Sequence, residues 1–163
     1  MNAPPYFHIG VLVSDLDKAM DELSRQHGVT FPKPAAIRLS RPDGTREELI
    51  RVVYSKDGPA YYELIEATPG GVFDGDGEEK VHHVGIWEEN MAERLRLLRE
   101  NGVGVLASGV GLTGRPGLIE DAVPHWVITE PTALGIRFEY VDAALRMGIE
   151  MWLETGEFPG GGG

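Results

Sequence analysis

Apolar and polar positions along this chain switch between two periods, and the switches outline its elements. Tyr6 to Val13 is an almost unbroken apolar and β-branched run, as a buried strand requires. After Ser14 or Asp15, either of which can cap, Leu16, Ala19, Met20 and Leu23 recur at helical spacing until Gly28, predicting a helix over roughly 15–27. A strand near 35–40 precedes the turn signal Arg41-Pro42-Asp43-Gly44. Strands near 47–55 and 60–66 flank Lys56-Asp57-Gly58-Pro59, a hairpin turn. The order to this point is βαβββ.

Residues 68–80, rich in Gly and Asp, read as a linker, after which the pattern restarts. A strand over 81–87 is followed by a helix near 90–101 with Met91, Leu95 and Leu98 inward, then by strands near 103–108, 123–129 and 135–142. A last helix over 143–154 starts at Asp142, and the tail from 157, ending in Gly160 to Gly163, reads as disordered. The second half repeats the first. His8-Ile-Gly-Val returns as His83-Val-Gly-Ile, Leu16 aligns with Met91 and Leu23 with Leu98, and one residue of slippage brings Gly28 onto Gly102. A spacing of 75 residues between the two His exceeds a solenoid unit, so the expectation is an α+β chain of two βαβββ modules, 6–67 and 81–142, with a C-terminal helix.

Composition narrows the functional classes. The chain has 163 residues, 42% of them hydrophobic, enough for a substantial core. A net charge of −11 argues against nucleic acid and against acidic membranes as partners. No apolar run is long enough to cross a bilayer, and Met1 to Pro5 lacks the features of a signal peptide, so a cytoplasmic location is expected. With no Cys, any metal must be held by nitrogen and oxygen. The glycines of 109–117 lack the spacing and the strand-to-helix setting of a phosphate cradle.

The repeat carries chemistry at matching places. Glu63 follows His8 by 55 residues and Glu139 follows His83 by 56. Both carboxylates stand between apolar neighbours, in Tyr62-Glu63-Leu64 and Phe138-Glu139-Tyr140, where burial is costly unless the charge is paired or coordinates a cation. A lone strand His is more often a hydrogen-bonded core residue and a lone Glu more often faces water. Four such residues at symmetric positions converge instead on one 2-His-2-Glu site for a divalent Zn, Co, Mn, Ni or Fe ion. Alignment selects His83 over its neighbour His82, which strand alternation points to the opposite face, and it turns Glu66 away.

Residues 6–142, with Phe7-His8-Ile-Gly-Val-Leu-Val-Ser-Asp-Leu, His82-His83-Val-Gly-Ile and the two Glu-centred strand motifs, resemble the vicinal oxygen chelate superfamily, also called the glyoxalase and bleomycin-resistance fold. The pattern is most similar to methylmalonyl-CoA epimerase and glyoxalase-like proteins. The resemblance implies a cup-shaped β-sheet around one divalent metal that binds neighbouring substrate oxygens. A fourth protein ligand, Glu63, favours proton transfer next to a metal-bound carbonyl or vicinal oxygen pair, in an isomerase, epimerase or lyase, over the oxygen chemistry of ring-cleaving members with two His and one Glu. The alternatives are a small-molecule binding or resistance protein, which usually lacks the ligands, and an extradiol-type dioxygenase.

In the epimerase pattern a catalytic Glu precedes the fourth-strand ligand by about the separation of Glu47 or Glu48 from Glu63. Either is a candidate base, alongside Glu63 itself and His125. Their other reading is a solvated strand end beside Arg46 and Arg51. Tyr54, Tyr61, Trp87, Trp126 and Phe138 are candidate cup walls. No patch for a glutathione carboxylate or a coenzyme A diphosphate is evident; Arg38, Arg41 and Arg46 are candidates for one, and their other reading is plain surface of an acidic chain. A homodimer is expected because the fold often pairs cups and because Leu145, Ile149, Trp152 and Leu153 leave an apolar face on the last helix.

Overall fold

The computed structural model describes residues 5–40, 47–75, 78–109 and 123–158, with Arg38, Ser40 and Glu47 described by backbone alone. The turn at 41–44, the Gly-rich run from 110 and the tail from 159 lie outside these residues. The first module comprises β1 (Tyr6–Val13), α1 (Leu16–His27), β2 (Ala35–Ser40), β3 (Glu47–Tyr54) and β4 (Tyr61–Glu66). The second comprises β5 (Lys80–Glu88), α2 (Met91–Glu100), β6 (Val105–Gly109), β7 (Trp126–Thr129) and β8 (Arg137–Asp142). A 3-10 turn, Ala143–Leu145, then leads into α3 (Arg146–Thr155).

The helices begin and end where the local chemistry directs. The Asp15 carboxylate accepts the Lys18 N–H at 2.9 Å, and Asn90 accepts that of Glu93 at 3.1 Å, each satisfying a free donor of a first turn. Gly28 and Gly102 have φ of 71° and 68°, the left-handed conformation that stops a helix without a Cβ penalty. Glu66 accepts the Leu16 N–H at 3.1 Å and pairs with Arg51 at 3.0 Å, tying the start of α1 to β4 and β3 while facing away from the cup.

The strands run β1-β4-β3-β2-β6-β7-β8-β5 around a closed barrel. Within each module the first and last strands are parallel, β1 with β4 and β5 with β8. The modules join along β1 and β5, which pair antiparallel over most of their length, whereas among the described residues β2 and β6 meet at one pair, Ser40 and Ser108. The result is a curled cup, tightly sewn on one side. Helix α1 buries Leu16, with Ala19, Met20 and Leu23 alongside, on the outer residues Val13, Val53 and Leu64. Met91, Leu95 and Leu98 of α2 cover Ile86, Val127 and Tyr140. Strands covered on both faces read as continuous apolar runs, the pattern seen at Tyr6–Val13. Leu16 is fully buried, a gain of about 1.5–3 kcal/mol.

Helix α3 does not present its apolar face to a partner. Ile149, Trp152 and Leu153 are buried in the inner core with Tyr54, Trp87, Trp126 and Val141, and Leu145 packs against them. The face that the sequence offers for a dimer is consumed within the chain. Phe158, assigned by the sequence to the tail, packs edge-on against Trp152 with ring centroids 4.9 Å apart.

Candidate metal centre

Two rows of paired residues cross the β1–β5 seam and build the site. In one, Glu63 on β4 faces Gly10 on β1, which faces His83 on β5. In the other, His8 on β1 faces Gly85 on β5, which faces Glu139 on β8. Paired residues project to the same side of a sheet, so each row sends a carboxylate and an imidazole inward on either side of a glycine. The rows converge. His83 Nε2 lies 2.9 Å from Glu63 Oε2, His8 Nε2 lies 2.9 Å from Glu139 Oε2, and the two Nε2 atoms are 2.9 Å apart. The remaining His–Glu separations are 3.3 and 3.4 Å.

All four residues are buried, and one ligand atom from each lies within 4.8 Å of the others. Donors placed about 2.1 Å from a shared ion are separated by about 3.0 Å along an octahedral edge and about 3.4 Å along a tetrahedral one, the range seen here. Glu139 Oε2 is buried without a hydrogen-bond partner despite its approach to His8, an arrangement a shared cation satisfies. The four residues thus fit a single divalent ion.

The imidazoles and carboxylates of the cluster also shift one another's charge states. Burial opposes protonation of His83, but Glu139 and Glu63 outweigh it and raise its pKa to about 9. His8 is shifted the same way, burial again being overcome by Glu63 and Glu139. Burial pushes Glu63 up, yet His8 and His83 hold it well below the usual carboxylate range. Tyr54 faces Glu63 across β3 and β4, and burial first, then Glu63 and Glu139, raise its phenol well above 10. Its phenol is neutral beside Glu63.

His82 departs from the sequence reading. A shift in register between Gly10–His83 and Val11–Val81 places a bulge at His82, so it does not point to the opposite face. Its Nδ1 lies 3.0 Å from Nδ1 of His83, and its ring packs edge-on against Phe73. Burial, His83 and Arg137 lower its pKa to about 3, so it is neutral. A neutral His82 accepting from His83 Nδ1–H leaves His83 Nε2 as the ligand atom.

Of the candidate bases, Glu63 belongs to this cluster and Glu48 stands apart from it. Glu48 projects to the inner side of β3 with Ile50, Val52 and Tyr54, but lies six residues, about 20 Å of strand, from the Tyr54 that faces Glu63. There it is buried and accepts the Val72 N–H at 2.8 Å, held by the turn after β4. The side chain of Glu47 lies outside the described residues. His125 is half-buried just before β7, and it is its neighbour Trp126 that enters the cup.

A cavity of about 40 Å³ adjoins the cluster, bordered by Glu63, Glu139, Tyr54, Trp126, Trp152 and Phe158 among others. Of the aromatic walls expected, Tyr54 and Trp126 line it, Tyr61 packs against the inner core, Trp87 stacks on Phe7 with centroids 3.8 Å apart, and Phe138 lies outside beneath α2. Phe138 adjoins Glu139, and alternation sends the two to opposite faces. The sequence reading missed Trp152 and Phe158 as walls. Their signal is the placement of α3 inside the cup, which helical periodicity alone does not specify.

The model of the Glyoxalase/Bleomycin resistance protein/Dioxygenase superfamily matches residues 7–117, and the chain belongs to that superfamily. Its fold is shared by a hypothetical protein from Bacillus halodurans C-125, with 18% identity, a TM-score of 0.58, and coverage of 86% of this chain and 95% of the other. A variant of Streptomyces coelicolor methylmalonyl-CoA epimerase in complex with 2-nitronate-propionyl-CoA is 18% identical with a TM-score of 0.61, covering 88% and 99%. The Mycobacterium tuberculosis epimerase is 21% identical with a TM-score of 0.58, covering 87% and 89%. Among curated protein sequences nothing matches. No helix among the described residues is long and apolar enough to cross a membrane.

Proposed function

We propose that the chain is a divalent-metal-dependent isomerase, epimerase or lyase that moves a proton at a carbon next to a carbonyl or vicinal oxygen pair. The observation that carries this reading is the buried convergence of His8, Glu63, His83 and Glu139 beside a cavity. When bound, the metal supplies Lewis-acid stabilisation of the negative charge that develops on the substrate oxygen. The protein residues do the rest. His8 and His83 hold Nε2 toward the centre, with His83 aligned by His82. Glu63 and Glu139 are the carboxylates that border the cavity, with Tyr54 beside Glu63. Glu63 is our candidate to take and return a substrate proton, supported by its place on the cavity border, with Glu48, which accepts the Val72 N–H through Oε2, as the other candidate. Among the described residues the rest of the cavity wall is apolar or aromatic.

A cytoplasmic location and a homodimer belong to the same proposal, the latter checked by light scattering. The activity is tested by reconstituting the protein with each divalent metal in deuterated water and following exchange alpha to the carbonyl of small oxo compounds. Metal-dependent exchange is expected. Consumption of dioxygen with a catechol, or ligand binding with no exchange under any metal, overturns the reading in favour of a dioxygenase or a binding protein.

A further inference from the structure

We propose that helix α3 and Phe158 cap the cup and limit the part of the substrate beside the carboxylates to a compact carbonyl group with a small apolar substituent. This rests on the metal-centre reading above. The cavity beside the carboxylates measures about 40 Å³, and one water needs about 10–15 Å³ of such space. It holds only a few non-hydrogen atoms of a ligand beside the carboxylates. Leu145, Ile149, Trp152 and Phe158 form one wall, and among the described residues the other borders are Ile37, Val52, Tyr54, Trp126, Val141 and the two Glu. His82, edge-on to Phe73, packs against His83.

The wall is built to stay. Trp152 is 1% exposed, its indole N–H donates to the Lys33 carbonyl at 3.3 Å, and its ring stands edge-on to Tyr54 at 5.7 Å. Moving the helix would return Trp152, Ile149 and Leu153 to water, which strongly opposes opening. A large ligand must displace this packing, while a compact one fits beneath it.

Cobalt-loaded protein, titrated with acetohydroxamate and with 2-naphthohydroxamate, tests the limit through the visible cobalt bands. Both probes present two neighbouring oxygens and differ in bulk. The wild-type protein is expected to favour acetohydroxamate by about 100-fold or more, and Trp152→Ala or Phe158→Ala to narrow this to less than about tenfold. If Trp152→Ala fails to fold, Phe158→Ala and Leu145→Ala carry the comparison. Wild-type binding of both probes within about tenfold, or discrimination unchanged in every folded variant, overturns the proposal. Absence of any cobalt band overturns the metal-centre reading itself, and the size limit with it.

Discussion

The imidazole of His83 occupies the space that a side chain on Gly10 would fill. A Cβ built at Gly10 collides with three atoms of the His83 ring, and one built at Gly85 collides with the His8 ring in the same way. The phrase His-x-Gly, repeated in the two modules, is therefore one device used reciprocally: each module supplies a ligand and the gap that receives the other module's ligand. Gly10→Ala should displace His83 and lower metal affinity by about 10–100-fold or more, with an overpacking cost of about 1–3 kcal/mol. Isothermal titration with Zn²⁺ on protein of unchanged circular dichroism checks this. Affinity equal to wild type would show that His83 is not held by the gap.

His82 orients His83 through the Nδ1 contact of 3.0 Å. His82→Phe keeps a ring against Phe73 and removes the acceptor, so metal affinity should fall by about 10–100-fold while the fold survives. His82→Gln, which restores an acceptor, should recover part of the loss. A merely structural role predicts that Phe is tolerated as well as Gln, and the two metal titrations separate these outcomes.

Protons and metal compete for the same nitrogens. With the His83 pKa raised from 6.5 to about 9, metal binding between these values must release its proton, so apparent affinity should climb by up to about tenfold per pH unit until about pH 9. The sign for stability is opposite in the metal-free protein. A raised imidazole pKa contributes stability that is complete below about 6.5 and is lost as pH rises through about 9, so Tm in EDTA should fall across that window from this group. His82, lowered to about 3, contributes stability that is present above 6.5 and lost as pH drops. Melting curves from pH 5 to 9.5, with EDTA and with saturating metal, check both directions. A metal-free Tm that rises from pH 7 to 9 contradicts the assignment of His83.

Metal should also stabilise the fold, because the four ligands come from strands of both modules. At a free metal concentration about 1,000 times Kd, the gain is about 4 kcal/mol, readable as an upward shift in Tm. The shift should vanish in Glu139→Ala. A full shift in that variant would place the stabilising ion elsewhere.

The parts of this fold legible in the sequence are those set by local pattern. Tyr6–Val13, the Asp15 and Gly28 ends of α1, and the matching Glu63 and Glu139 follow from periodicity, capping chemistry and the cost of burying a carboxylate. What was not legible depends on register and on contacts remote in the chain. A one-residue bulge turns His82 toward His83, which alternation alone cannot reveal. The apolar face of α3 is the same whether it meets a partner or its own cup, and only the packing of Trp152 against Tyr54 decides. Glu48 has the residue type of a base and the correct strand face, but its hydrogen bond to Val72 arises from the turn after β4.

Metal content in wild type and in single-ligand variants addresses the core of this interpretation. Protein purified, stripped and repleted with a divalent metal should hold one ion per chain by plasma emission spectrometry, and His83→Ala and Glu139→Ala should each lose it while remaining folded. Unchanged stoichiometry in both variants, or no bound metal in the repleted wild-type protein, would contradict the assignment of His8, Glu63, His83 and Glu139 as a metal centre.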